Sequence, residues 1–554
     1  MQDHKQPEAA GDKANRPAVV HPFLFGPFFV LSLYAANIQH FPITVTFLPI
    51  AITVGLAAVL WGVLSLILKN GRKSGIVVSL FCLLFFSYAY VLDMVSYSFG
   101  AQVGRGKVVL PALGLVGILG FVVTIKSKRP LVIPTRLLNV LAASLLAAVA
   151  ARIGFRTVSD WRTNEPAPAI SPPAAGTAAT LGKETVLPDI YYIIPDGYGR
   201  QDVLKELYDY DNAAFVDFLR RRGFYVANDA CANYCHTALS LASSLNMRYI
   251  GRLQTATEAR DRCPLIKQIA RNAVCGELRR HGYKIVLFSS GYFATEKIQG
   301  ATYFRAQRLN EFDYGLIATT PIPILMEKVL GAYTLHRERI LYTLDHLPEA
   351  RDSDRPVFVF AHIVCPHPPF VFGPAGRPRQ PAGRYSLNDG SHWLELDKAN
   401  SPARYRQGYA EQLAFLNARL EKVIDAILTR PGRPAVIILQ GDHGPGSMLD
   451  KASAERSDVK ERMTILSAYY FPDESYDLLY DRVSPVNTFR VVFNRYFGGN
   501  YELLTDSSYF STSGRPYDFI DVTDRIFTRR RVRQTKDRSK PGKEPAKNPQ
   551  ANHL

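Results

Sequence analysis

Five long apolar runs crowd the first 155 residues: Phe23–Asn37, Ile43–Leu68, Ile76–Tyr97, Val108–Ile125 and Leu137–Ile153. Most are close to the roughly 20 residues that cross the hydrocarbon of a bilayer. A water-soluble core would not stack so many such stretches with only short links between them, so they predict a five-helix transmembrane domain at residues 22–155, after a cytoplasmic N-terminus at 1–21. A cleaved signal peptide does not fit. No small-residue cleavage site follows the first run, and further spans come directly after it.

Positive charge beside the membrane sets the orientation. Lys69, Arg72 and Lys73 lie between the second and third runs, and Lys126, Lys128 and Arg129 between the fourth and fifth, while the first link, "IQHFP", has no Lys or Arg. Arg105, Lys107, Arg152 and Arg156 dilute the contrast. Spans that start inside place everything after about residue 155 outside the cytoplasmic membrane, in a periplasmic or extracellular position. The spans hold few charges beyond Asp93, which argues against a transporter. The net charge of +17 resides largely in membrane-flanking loops and in the basic tail at 524–554, with its "RRRVRQTKDRSKPGKEPAKNPQ". It therefore points to no nucleic-acid partner. The tail's composition is that of a disordered segment, either attracted to anionic headgroups or simply solvated.

Of the six cysteines, Cys82 falls in the third run. Cys231, Cys235, Cys263, Cys275 and Cys365 would lie in an oxidising compartment, where two disulfides and one free thiol are expected, with partners left open. A Pro- and Ala-rich linker, "NEPAPAISPPAAGTAATLGKE", occupies much of 156–183. Beyond it, in a domain at 184–523, strand-like runs alternate with helical patterns. These are "DIYYIIPDG", a helix to about Arg222, "YKIVLFSS", "PVFVFAHIV", a helix from about Ala403 to Leu428, and "AVIILQGDHG". The alternation predicts an α/β domain with a mixed, mostly parallel sheet flanked by helices.

Two of these runs stop abruptly in acidic and turn residues. Ligands of open α/β sheets bind beyond the carboxyl ends of the strands, and there the chain places Asp196 before Gly197, and Asp442-His443 before "GPG". Carboxylates and imidazole ligate Mn²⁺ or Zn²⁺ without thiolates. A nucleophile is available in "NYCHTALSLASSLN", where Thr237 stands at the start of a helical pattern. Free N–H groups at a helix start favour an anion such as phosphate, and a bound metal would lower the alcohol's pKa. Taken singly, a Thr before a helix reads as a cap and an Asp before Gly as a turn residue. Asp189 begins its strand and falls at the opposite edge. Asp345-His346 follows a helical pattern rather than a strand.

With "PDIYYIIPDGYGR", "NYCHTALSLASSLN", "FVFAHIVCPHPPFVF", "GYAEQLAFLNARLEKVID", "IILQGDHGPGS" and "SPVNTFRVVFNRYF", the chain resembles the alkaline phosphatase superfamily. Within it, it is similar to the membrane-anchored, sulfatase-like branch that includes lipoteichoic acid synthases and phosphoethanolamine transferases. The resemblance implies an alkaline-phosphatase-like sheet and a divalent metal, Mn²⁺ or Zn²⁺, held by Asp196, Thr237, Asp442 and His443; two-metal members carry a further Asp with no assignable counterpart here, so one metal is expected and a second stays open. It also implies Thr237 as nucleophile, and His367, with His362 as a weaker candidate, as contacts to substrate phosphate. Two departures matter. The branch named has Glu at the first ligand position, where this chain has Asp196 followed by Gly, as in phosphatases and phosphodiesterases of the superfamily. Sulfatases convert the Cys or Ser of a CxPxR-type sequence to formylglycine, and the corresponding Cys235-His236-Thr237-Ala238-Leu239 lacks the Pro and Arg.

The expected activity is a phosphotransferase or phosphodiesterase that passes through phospho-threonine and moves a phospholipid-derived headgroup phosphate onto a glycan or lipid acceptor. A phosphatase- or sulfatase-like hydrolase is the alternative of the same class. A non-catalytic membrane scaffold for glycan export is the alternative of another class, against which the complete ligand set argues.

Overall fold

The computed structural model describes residues 17–38, 41, 43–99, 108–163, 187–251, 262–306, 311–325, 331–381 and 385–527. Its N-terminal part is a bundle of helices α1 (His21–Ala36), α2 (Phe47–Leu68), α3 (Gly71–Phe99), α4 (Val109–Lys126) and α5 (Val132–Thr163). Four helical stretches are long and apolar enough to cross a membrane: Ile43–Leu68, Gly71–Leu92, Val109–Lys126 and Val132–Val158. The expected fifth, the first run, does not qualify. Its helix α1 has 16 residues, about 24 Å at 1.5 Å per residue, short of the roughly 30 Å of hydrocarbon. Many of its residues, among them Phe25, Val30 and Tyr34, are buried within the chain. The basic links α2–α3 and α4–α5 share one side whether or not α1 crosses. α5 ends on the other.

α5 continues to Thr163, and most of the proposed linker lies outside the described residues. The basic tail also lies outside them, except that 523–527 form a short helix whose Ile526 is buried.

A seven-stranded sheet forms the core of the second part, in the order β2-β7-β6-β1-β5-β3-β4. The strands are β1 Asp189–Pro195, β2 Tyr225–Val226, β3 Lys284–Phe288, β4 Thr302–Phe304, β5 Val357–Ile363, β6 Ala435–Gln440 and β7 Ser467–Tyr470. β6, β1, β5, β3 and β4 run parallel, and β7 is antiparallel to both β6 and β2. A separate hairpin pairs β8 (Tyr509–Thr512) with β9 (Arg515–Asp521). Strands β1, β5 and β6 are buried along their whole length, as expected where helices cover both faces of a parallel sheet. Alternation divides their side chains: Ile190, Tyr192 and Ile194 enter one apolar layer, Tyr191 and Ile193 the other.

The helix Pro402–Thr429 covers the second face. It has Ser401 as its cap, accepting from Arg404 N–H, and Pro402 in its first turn. Tyr405, Tyr409, Leu413, Leu416, Leu420, Val423 and Ile427 recur at helical spacing along its buried stripe. Asp189 lies at the opening edge of β1 beside Arg351, 3.7 Å away, and Asp345-His346 end the helix Ala332–His346, so neither enters the site.

None of the six cysteines is in a disulfide, against the expected two. Cys235 Sγ donates to Ser511 O at 3.4 Å and accepts from Ser511 N–H at 3.3 Å, Cys231 lies against the Asp229 carbonyl, and Cys275 is buried in the helix Ala273–Arg280.

Candidate active site

β1 and β6 are neighbours in register, Tyr192 opposite Ile438 and Ile193 opposite Leu439, so residues just past their ends emerge together. Asp196 prolongs β1, its N–H donating to Ile363 O at 2.8 Å. Gly197 then turns the chain at φ +74°, a left-handed conformation open to glycine at little cost. Its N–H donates to Asp442 Oδ1 at 3.0 Å, which ties the two strand ends to each other. After His443, Gly444 passes so near the next segment that a Cβ would sit 2.1 Å from the Glu461 carbonyl oxygen.

Thr237 is the first residue of the helix Thr237–Ser244. His236 takes the N-cap position with extended backbone, and no side chain caps the helix. The Thr237 hydroxyl is therefore not spent on capping, and it lies 3.1 Å from His443 Nε2. His443 Nδ1 is 3.0 Å from the Gly444 carbonyl. A proton there leaves Nε2 as the acceptor facing Thr237.

Around this point the side chains converge. Asp196, His362 and Asp442 each place a ligand-type atom within 4.8 Å of the others, all buried. His443 Nε2 is 3.5 Å from Asp196 Oδ1 and 3.4 Å from Asp442 Oδ2, and His362 Nε2 is 3.4 Å from Asp196 Oδ2. The other nitrogen of His362, Nδ1, is held 3.0 Å from Thr295 Oγ1. Asp196 Oδ1, Asp442 Oδ2 and His362 Nε2 are buried without a hydrogen-bond partner. Each such atom costs about 1–3 kcal/mol, a penalty that a divalent cation bound between them would remove. Two carboxylates and an imidazole are a donor set suited to such an ion.

Burial raises the Asp196 pKa, but the imidazoles of His367, His362 and His443 outweigh it and hold this carboxyl well below the usual carboxylate range. Burial lowers His443, and the neighbouring guanidinium of Arg462 lowers it further.

The structure thus gathers Asp196, Thr237, Asp442 and His443 with His362, which moves from weaker candidate into the cluster. His367 stands to one side. Its ring centre is 6.3 Å from that of His443, its Nδ1 is 2.5 Å from the Pro368 carbonyl, and its Nε2 is 3.8 Å from Asp389 Oδ2.

Sequence reasoning missed Asp389 and Arg462. Arg462 is among the largest fully buried side chains. It donates through Nε to Cys235 O at 2.9 Å, through Nη1 to Asp389 Oδ2 at 2.6 Å and Gly444 O at 3.1 Å, and through Nη2 to His443 Nε2 at 3.0 Å. It links the segment before Thr237, the loop after β6 and Asp389. Burial raises Asp389, yet Arg462, then His367 and Lys451, drive it well below its ordinary value. In the sequence, Asp389 sits in "NDG" and reads as a turn, and Arg462 sits in the charged run "VKERM", so neither had a local signal.

Residues 188–482 match the sulfatase family model. No curated protein matches the chain in a sequence comparison. Among solved structures, the chain is similar to the C-terminal periplasmic domain of EcEptC from Escherichia coli in complex with Zn. The identity is 11%, with 63% of this chain and 96% of that one covered, at a TM-score of 0.39. It is also similar to the integral membrane lipooligosaccharide phosphoethanolamine transferase A from Neisseria meningitidis (13% identity, 86% and 94% covered, TM-score 0.37). A third likeness is to the phosphonate monoester hydrolase of Agrobacterium radiobacter (14%, 58% and 80%, TM-score 0.38).

Proposed function

The chain belongs to the sulfatase family and is an enzyme of the alkaline phosphatase superfamily, and from that premise we propose that it is a metal-dependent phosphotransferase or phosphodiesterase with Thr237 as nucleophile. The observation that carries the proposal is the set of buried, unpartnered carboxylate and imidazole atoms converging beside the Thr237 hydroxyl. Asp196, Asp442 and His443, joined by His362, would hold one divalent cation, Mn²⁺ or Zn²⁺, with Thr237 completing the set. When bound, it would lower the pKa of the Thr237 alcohol and offset charge on the phosphoryl oxygens.

Thr237 Oγ attacks phosphorus in line. A Thr–O–P bond forms as the Thr237 hydroxyl gives up its proton to solvent, the bond from phosphorus to the leaving group breaks and the alkoxide takes up a proton from solvent, and the acceptor hydroxyl, losing its own proton, then attacks the phospho-threonine and releases Thr237. His367, anchored through Nδ1 on the Pro368 carbonyl and 3.8 Å from Asp389 Oδ2 through Nε2, would contact the substrate phosphate. Arg462 keeps the segment bearing Thr237 aligned with His443.

The helices fit a donor in the membrane itself, since anchoring beside the bilayer raises the local concentration of a phospholipid headgroup. The acceptor in this reading is a glycan or lipid on the side opposite the basic links, outside the cytoplasmic membrane. Asp196 followed by Gly197, the pattern of phosphatases and phosphodiesterases, favours water as a second acceptor.

Incubating the full chain with native membranes and weighing the Thr237-containing peptide tests the proposal, because the added mass names the transferred group. A Thr237→Ala protein that folds, binds metal and still releases diacylglycerol from labelled phospholipid would overturn it.

A further inference from the structure

Residues 311–325 belong by sequence to the C-terminal domain, yet they pack on the membrane helices. They form two short helices, Glu311–Ala318 and Ile322–Leu325. Phe312 and Leu316 are buried in one cluster with Val30 and Tyr34 of α1 and Phe86 of α3. Phe312 meets Phe41 edge to face, with ring centres 5.6 Å apart. Ala89 of α3 donates its N–H to the Thr319 carbonyl at 3.1 Å.

The depth of this contact follows from helix geometry. α3 starts at Gly71 beside the basic link, and Ala89 lies about 27 Å farther along, within the roughly 30 Å of hydrocarbon and inside the span Gly71–Leu92. Backbone at that depth must have its polar groups satisfied without water. The turn between the two short helices meets this requirement. Thr319 and Thr320 N–H groups donate to Leu316 O and Ile317 O at 3.1 and 3.0 Å. Their hydroxyls donate to the same two carbonyls at 2.7 and 2.6 Å. Ile322 N–H donates to Thr320 Oγ1 at 3.2 Å, and Pro321 and Pro323 have no N–H to satisfy. Between Phe312 and Leu325 the only charged residue is Asp313, while Ile324 is 41% exposed on the outer surface.

We propose that residues 311–325 are a re-entrant element of the catalytic domain that enters the acyl-chain region of the leaflet opposite the basic links, with lipid as the partner of the exposed Ile324 side chain. The inference rests on the membrane reading of α2 to α5 and is independent of the chemistry at Thr237. On its N-terminal side the element follows the segment that places Thr295 on His362. On its C-terminal side it precedes the helix bearing buried His336. It would hold the site at headgroup height, so that the lipid substrate comes from that leaflet.

Nitroxide labels read this out in the full chain reconstituted in nanodiscs, with Cys263, the cysteine that is not fully buried, replaced by Ser. Labels go on Ile324→Cys, on Leu119→Cys of α4 as lipid reference and on Ile520→Cys of β9 as water reference, all exposed positions chosen so that folding is undisturbed. Collision with oxygen exceeding collision with a water-soluble nickel chelate at Ile324, as at Leu119, is the expected result. Nickel-dominated collision matching Ile520 would overturn the inference, as would a water-exposed label at Leu119, which removes the bilayer itself. Neither outcome bears on the Thr237 adduct, so the two proposals fail separately.

Discussion

Replacing Arg462 by Met tests whether the buried guanidinium is what holds the two halves of the site in alignment. The side chain is 2% exposed and Asp389 1%. After the substitution the Asp389 carboxylate stays buried, with the Tyr405 hydroxyl at 2.6 Å as its remaining strong partner and His367 Nε2 no nearer than 3.8 Å. Breaking a buried ion pair on one side costs about 3–5 kcal/mol, because the charge left behind is uncompensated. In a domain of this size that is a drop in Tm on the order of 5–10 °C, read by differential scanning fluorimetry. Adding Asp389→Asn removes the orphaned charge, so the double variant should recover about 1–3 kcal/mol although it has one more substitution.

The pH dependence has a definite sign. Asp389 is depressed in the native protein, so its contribution is fully present above the unfolded carboxyl pKa of about 4 and is lost as pH falls through the lower folded value. In the Met variant the largest of the charges that depress Asp389 is gone, so that carboxyl lies above its wild-type value while His367 and Lys451 still act on it. The stability gap between variant and wild type should therefore narrow on acidification, because the stranded carboxylate takes up its proton in the variant at a higher pH than in wild type. A double variant less stable than Arg462→Met alone, or a gap that widens on acidification, would refute the reasoning.

Chelation by EDTA should lower the Tm of the full chain and Mn²⁺ or Zn²⁺ should restore it, since an ion that binds only the folded state stabilises by about 2.7 kcal/mol at a hundredfold excess over Kd. Asp196→Asn should abolish this response, and an unchanged Tm in wild type with and without chelator counts against a metal between the carboxylates. Alkylation in denaturant without reductant should modify all six cysteines, with the mass of the intact chain as readout. A chain that takes up fewer labels until reduced contains a disulfide.

How much of this could be read along the chain depends on the range of the interaction responsible. Asp196, Asp442 and His443 were legible because apolar strands that end abruptly in acidic and turn residues announce a strand terminus, and parallel β1 and β6 must present their ends at one edge. Thr237 was legible because helix composition follows it. The closeness of His362 to Asp196 and Asp442 was not legible, because it lies within a continuously buried strand, where a histidine has no local mark. Its place beside Asp196 is set by the β1–β5 register, which aligns Ile194 with His362.

The five apolar runs, the alternating strands and helices and the strand-end positions of Asp196, Asp442 and His443 were determined by the sequence, through periodicity and composition that act over a few residues. The tertiary structure alone decided that α1 is too short to span, that no disulfide forms, that residues 311–325 pack on the membrane helices, and that Arg462 meets an Asp389 lying 73 positions earlier. Burying a charge is tolerable only with a partner, and nothing in the local pattern at either residue says which distant segment will supply it.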